Sequence, residues 1–180
     1  MAQASRSYAS HNTVAEWERR QDQWELIDGV PYYMSPAPSG RYQRISIRIT
    51  TEFEIAFRKK NCGKCKVYIP IDWQISEDTV VQPDVLIVCK PLKGSRLLEA
   101  PEALFEILSP STQKKDRTEK FELYQSQKVP YYTMVDPETE TAEIYALDDT
   151  GHYKKQEFDS TFTYRFGECE VTLDFGLVWE

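Results

Sequence analysis

Two short apolar stretches of this chain each carry a carboxylate where a buried strand usually has none. One is Gln82-Pro83-Asp84-Val85-Leu86-Ile87-Val88, and the other is Leu104-Phe105-Glu106-Ile107-Leu108. Runs so rich in Val, Ile, Leu and Phe are expected of strands buried on both faces. A charge at the mouth of one and within the next costs stability unless it is paired or holds a cation. A partner Lys or Arg would explain one such carboxylate. Two on successive strands point more sharply to a metal site.

Length and composition bound the rest. A chain of 180 residues is most simply one domain with a substantial core. The division expected is a tail and short helix over 1–23, then a domain over 24–180. The 11 Tyr, 8 Phe and 4 Trp argue for a folded chain. No run approaches the ~20 apolar residues that span a bilayer, so no membrane partner is expected. Residues Met1 to Ser10 lack the basic-then-apolar layout of a signal peptide, and a cytoplasmic location is expected. The net charge of −7 counts against tight, non-specific nucleic-acid binding, although a local basic channel is compatible with it. Cys62-Gly63-Lys64-Cys65 has knuckle spacing, but Cys89 and Cys169 supply no second close pair in sequence. Free thiols in a reducing cytosol are therefore expected in preference to structural zinc.

Taken in order, Thr13-Val14-Ala15-Glu16 is a capping box opening a helix to about Arg20. Trp24 to Ile27 and Val30 to Met34 form a hairpin about Asp28-Gly29, with Pro31 placing the return strand at an edge. Glu25 on this hairpin is a candidate additional acid, or simply a solvated one. Ser35 to Gly40 is a loop. Ile45, Ile49, Phe53 and Phe57 repeat every fourth residue and predict a helix over about Tyr42 to Lys60. Cys65 to Ser76 alternates as a strand. Ser109-Pro110-Ser111-Thr112 offers N-cap hydroxyls to a helix from about Lys114 to Gln127. Asp116, Lys120 and Tyr124 share one face of it. A strand over Val129 to Val135 and a hairpin about Asp148 to Gly151 follow. The aromatic tail from Phe162 to Trp179 either closes the core or covers a partner subunit.

Several of these pieces carry a resemblance. Pro83-Asp84 followed by Glu106 resembles the PD-(D/E)xK nuclease superfamily. The longer series resembles its Uma2 (DUF820) branch of restriction-endonuclease-like proteins. That series is Trp24 to Gly29, Met34 to Ser39, Val81-Gln82-Pro83-Asp84, Glu106 to Thr112, Asp116 to Tyr124 and Tyr132 to Pro137. The resemblance implies an α/β (α+β) fold with an α-β-β-β-α-β restriction-endonuclease-like core. Its mixed central sheet would be flanked by helices, with an N-terminal hairpin and extra C-terminal strands.

The resemblance also implies chemistry. A Mg²⁺ ion, for which Mn²⁺ substitutes, would be held by Asp84, Glu106 and the Ile107 carbonyl, hard oxygen ligands of the kind Mg²⁺ takes. The superfamily lysine two residues after the acid is Leu108 here. In Uma2-like sequences it stands on the following helix, at Lys120. The plainer alternative is an Asp116–Lys120 helix ion pair worth only ~0.3–0.5 kcal/mol. Catalytic candidates are thus Asp84, Glu106, Lys120 and Glu25. Arg41, Arg44, Lys114, Lys115 and Arg117 flank the site as candidate phosphate contacts. Tyr42 stands where relatives commonly have a His, which puts activity in question. The function implied is Mg²⁺-dependent DNA endonuclease action by a homodimer. The competing readings are a silent nuclease-like fold used as a binding or regulatory module, and a metal-dependent hydrolase of a small phosphoester.

Overall fold

The computed structural model describes residues 11–19, 24–33 and 39–180. The chain opens with α1 (Val14–Trp17) and the strands β1 (Trp24–Ile27) and β2 (Val30–Tyr33), then α2 (Gly40–Lys59). β3 (Lys66–Tyr68), β4 (Trp73–Gln74), β5 (Val80–Val81), β6 (Val85–Val88) and β7 (Ala103–Ile107) follow. After α3 (Gln113–Arg117) and α4 (Glu119–Ser126) come β8 (Tyr131–Asp136), β9 (Thr141–Leu147) and β10 (Tyr153–Lys155). β11 (Thr161–Phe166), β12 (Cys169–Asp174) and α5 (Phe175–Trp179) end the chain. Among the described residues, no helix is long and apolar enough to cross a membrane.

The central sheet has the order β10-β9-β8-β7-β6-β3. Only β7 and β8 run parallel in it, joined by the crossover through α3 and α4. The succession α2, β3, β6, β7, α3/α4, β8 is the α-β-β-β-α-β core expected from the motifs. A second sheet, β2-β1-β5-β4, holds the N-terminal hairpin, and β2 with Pro31 is its edge. Asp28 (φ 50°) and Gly29 (φ 76°) make the hairpin turn in the left-handed region that this two-residue connection requires.

Strand alternation sorts the core into two layers. Val85, Ile87, Ala103, Phe105 and Ile107 face the first, with Ile45, Ile49, Phe53 and Phe57 of α2. Leu86, Val88, Leu104 and Leu108 face the second, with Tyr124 of α4, Tyr132 and Trp73. Period-two alternation in strands sets these faces. It also puts Glu106, between Phe105 and Ile107, on the α4 side. The aromatic tail closes the core: Tyr164, Phe166, Val171, Leu173, Phe175 and Val178 join the α2 layer.

The structure departs from expectation in several places. The strand expected over Cys65 to Ser76 is two strands in different sheets, β3 and β4. Pro70 lies between them and cannot donate to a ladder. The helix expected from Lys114 to Gln127 is broken at Thr118 (φ −123°, ψ −88°). The Thr118 hydroxyl donates to the Lys114 carbonyl at 2.7 Å, the back-bonding that bends helices. The capping box of α1 is present, but the helix stops at Trp17, and Arg20 is outside the described residues. Most of the loop expected over Ser35 to Gly40 is outside them too, and its last residue, Gly40, already opens α2. The cysteines are not free thiols. Cys62 is bonded to Cys169 and Cys65 to Cys89. Residues far apart in sequence meet because β3 lies beside β6, and because β12 packs on α2.

Candidate active site

The motif residues converge where β1, β6 and β7 meet α3, α4 and the first turn of α2. The Glu106 carboxylate leaves β7 toward α4. Its Oε1 accepts from Lys120 Nζ at 2.8 Å and from the Tyr124 hydroxyl at 2.7 Å. These two donors sit one helical turn apart, so both reach one oxygen. Lys120 Nζ also lies 2.8 Å from Glu25 Oε1 and 3.8 Å from Asp116 Oδ1. Glu25 further accepts from the Gln82 N–H at 2.8 Å and pairs with Lys115. Lys115 lies over the Tyr32 ring, 5.6 Å from its centre.

Asp84 stands at the mouth of β6. Its Oδ2 accepts the Ile107 N–H at 2.6 Å, and its Oδ1 accepts the Tyr42 hydroxyl. An extended residue sends its N–H and C=O to the same edge of the strand. The Ile107 carbonyl therefore projects toward the side on which Asp84 lies, whereas the Leu108 N–H turns to β8 and donates to Val135 O at 2.8 Å. Leu108 itself is buried in the second core layer.

The electrostatics are unbalanced. Four buried carboxylates, Glu25, Asp84, Glu106 and Asp116, share two ammonium groups, Lys115 and Lys120. Burial pushes Glu25 up, but the Lys120 and Lys115 charges outweigh it and leave its carboxyl below the usual range. Burial pushes Asp84 up to about 6 against its donors Tyr42 and Ile107. Burial, helped by the neighbouring carboxylates Asp84, Asp116 and Glu25, holds Glu106 well above the ordinary range despite Lys120. Burial also raises Asp116, and its Oδ1 accepts no hydrogen bond. Burial would discharge Lys120, yet Glu106, Glu25 and Asp116 overcome it and hold the ammonium well above its ordinary pKa.

This set of groups suits a hard divalent cation. The donors are oxygens, the excess charge is negative, and Asp84 and Glu106 are close enough to raise each other's cost of ionisation. Among the described residues, no three Asp, Glu, His or Cys side chains converge as a complete cage. Mg²⁺ is usually held by one or two carboxylates together with several waters and substrate phosphates.

The basic candidates separate. Lys115 turns inward onto Glu25 and is nearly buried, so it belongs to the site and not to the surface. Arg41 pairs with Glu140 at 2.5 Å, and Arg117 pairs with Glu143. Arg44 donates to the Glu180 carbonyl at 3.0 Å. Lys114 is exposed. Glu25 is buried, not a solvated hairpin charge. Ser109 and Ser111 bond each other at 3.0 Å within their own turn, with no His beside them. Sequence reasoning missed Tyr124 as a partner of Glu106, although its four-residue spacing from Lys120 placed it on the right face. It singled out Tyr42 only for standing where relatives commonly have a His, and missed it as the partner of Asp84.

Comparison with known proteins bears on the family and the fold. The model of the Uma2 family, described as "Putative restriction endonuclease", matches residues 12–172. Uncharacterized protein slr1290 of Synechocystis sp. is 30% identical over 144 residues, covering 77% of this chain and 74% of its own. The crystal structure of a "putative nuclease belonging to DUF820" from Anabaena variabilis superposes with a TM-score of 0.74 at 15% identity. That match covers 93% of this chain and 97% of the other, and at this identity it speaks for the fold.

Proposed function

This chain belongs to the Uma2 family, and from that premise we propose that it is a Mg²⁺-dependent DNA endonuclease of the PD-(D/E)xK type. The observation that carries the reading is the 2.8 Å contact between Lys120 and Glu106. On this reading an ammonium from α4 takes the part of the motif lysine, whose own position is occupied by Leu108. Asp84, Glu106 and the Ile107 carbonyl would hold the cation. A divalent cation there would lower the pKa of a coordinated water and neutralise charge on the phosphoryl oxygens.

The chain's own residues supply the rest. Lys120 stays cationic and offers fixed positive charge where negative charge gathers on phosphorus. Tyr124 orients Glu106. Glu25 holds both lysines in place and serves as a positioning residue. Lys115, on the short helix before the break, is the second cation for a substrate phosphate. Cutting both strands of a duplex calls for two such sites, which a homodimer would provide. Sedimentation velocity at micromolar concentration should then show a dimer, and a monomer that still cuts both strands would argue against it.

A second reading has an observation of its own. Arg41 and Arg117 are already paired with acids, and the chain carries a net charge of −7. A silent nuclease-like fold that binds a partner is compatible with both. Cleavage of plasmid and linear duplex in Mg²⁺ or Mn²⁺ separates the two. The nuclease reading expects Asp84→Asn and Glu106→Gln each to lose at least ~100-fold in rate, the scale at which removal of one transition-state contact is felt. Both variants relieve repulsion, so loss of fold would not explain lost activity. Undiminished cleavage by both, or no cleavage by the wild type on any nucleic acid, would discard the nuclease assignment.

A further inference from the structure

We propose that Tyr42 is the positioning residue for Asp84: its hydroxyl fixes the carboxylate in the rotation that presents the remaining lone pairs to the cation. This rests on the reading of Asp84 as a metal ligand. A carboxylate on a short stem swivels easily, because its terminal torsion is broad and roughly two-fold. Here the two oxygens are held from two different elements. Oδ2 takes the Ile107 N–H of β7, and Oδ1 takes the Tyr42 hydroxyl of α2. Each oxygen has two acceptor positions, so each keeps one free.

Tyr42 is itself fixed. It lies in the first turn of α2, where its N–H donates to the N-cap Ser39 Oγ at 3.2 Å. Its ring lies against the first core layer. The donor therefore comes from a helix already anchored through Ile45, Ile49 and Phe53, and not from a mobile surface chain. The backbone donor cannot do this work alone. With Oδ2 held and Oδ1 released, the carboxylate can rotate about the held oxygen and turn Oδ1 away. Hydrogen-bond partners behind metal ligands typically change affinity by about 10–100-fold when removed.

The test is Mn²⁺ affinity, measured by electron paramagnetic resonance on the full chain. Four proteins are compared: wild type, Tyr42→Phe, a variant with p-aminophenylalanine at position 42, and Asp84→Asn. Phe keeps the ring and loses the donor, while p-aminophenylalanine keeps both. The expected result is that Tyr42→Phe binds Mn²⁺ about 10-fold or more weakly, and that p-aminophenylalanine restores most of the loss. Ring packing is common to both variants, so a merely structural role would not separate them. Unchanged or tighter binding by Tyr42→Phe overturns the proposal, provided that wild type binds and Asp84→Asn does not. Wild type that binds no Mn²⁺, or binds it as Asp84→Asn does, overturns the metal reading itself and this inference with it.

Discussion

Single residues of the site pull against stability. Asp84 ionises at about 6 in the fold, above the ordinary 3.8, because burial penalises its charged form. A raised carboxyl binds its proton more tightly folded than unfolded. Its contribution is therefore favourable below pH ~4 and is lost as pH rises through about 6. The shift is worth roughly 3 kcal/mol at ~1.4 kcal/mol per unit. Urea unfolding of wild type and Asp84→Asn at pH 5 and pH 7 should show the variant gaining stability at pH 7 relative to wild type, with a flatter pH dependence. An identical pH dependence in both proteins would mean that Asp84 is not the strained group. Lys120 is the opposite case. Lys120→Ala leaves Glu25, Glu106 and Asp116 without their shared cation, so a loss of ~3–5 kcal/mol is expected. An activity loss in that variant has to be read beside its unfolding curve. Asp84 and Glu106 stood out in sequence because carboxylates in apolar strands are conspicuous, and both are buried in the fold. The contact of Tyr42 with Asp84 did not, because sequence marked Tyr42 only by its place where relatives commonly have a His, and the meeting joins residues 42 positions apart.

Among the elements, the periodic helix and the two buried strands were the most legible. Four-residue spacing in α2 survives in the structure as Ile45, Ile49, Phe53 and Phe57 facing one core layer. Phe53 meets the rings of Phe57, Phe105, Tyr164 and Phe166. Phe53→Ala should cost ~3–5 kcal/mol by removing a fully buried ring. A thermal melt within a degree of wild type would show that this layer does not carry the fold. The two breaks were less legible. Pro70 interrupts a pattern that otherwise alternates well, and periodicity alone runs across it. Thr118 interrupts a helix whose charges still fall on a common face. That break allows Lys115, on the preceding turn, to reach Glu25 while Lys120 reaches Glu106. Straight-helix geometry would have put Lys115 on a different side from Lys120.

At the scale of the molecule, long-range links hold the layers together. The Cys62–Cys169 bond joins the end of α2 to β12 across a sequence separation of 107. Closing a loop of that length in the unfolded chain is worth up to about 5 kcal/mol on the chain-entropy account. Cys62→Ser should lower the unfolding midpoint under non-reducing conditions, and dithiothreitol should lower that of the wild type. No change in either would show that the link adds nothing to stability. The sequence by itself determined the family, the order of the core elements, the two strands that carry Asp84 and Glu106, and Lys120 on the helix that follows. Those are local properties: apolar runs, spacing, and residue types that a buried strand does not tolerate without a reason. Only the tertiary structure decided which donors those acids meet, that Glu25 is buried between two lysines, and that all four cysteines pair. Each depends on residues brought together from distant parts of the chain, and the free energy of those meetings is set by burial and geometry that no local spacing encodes.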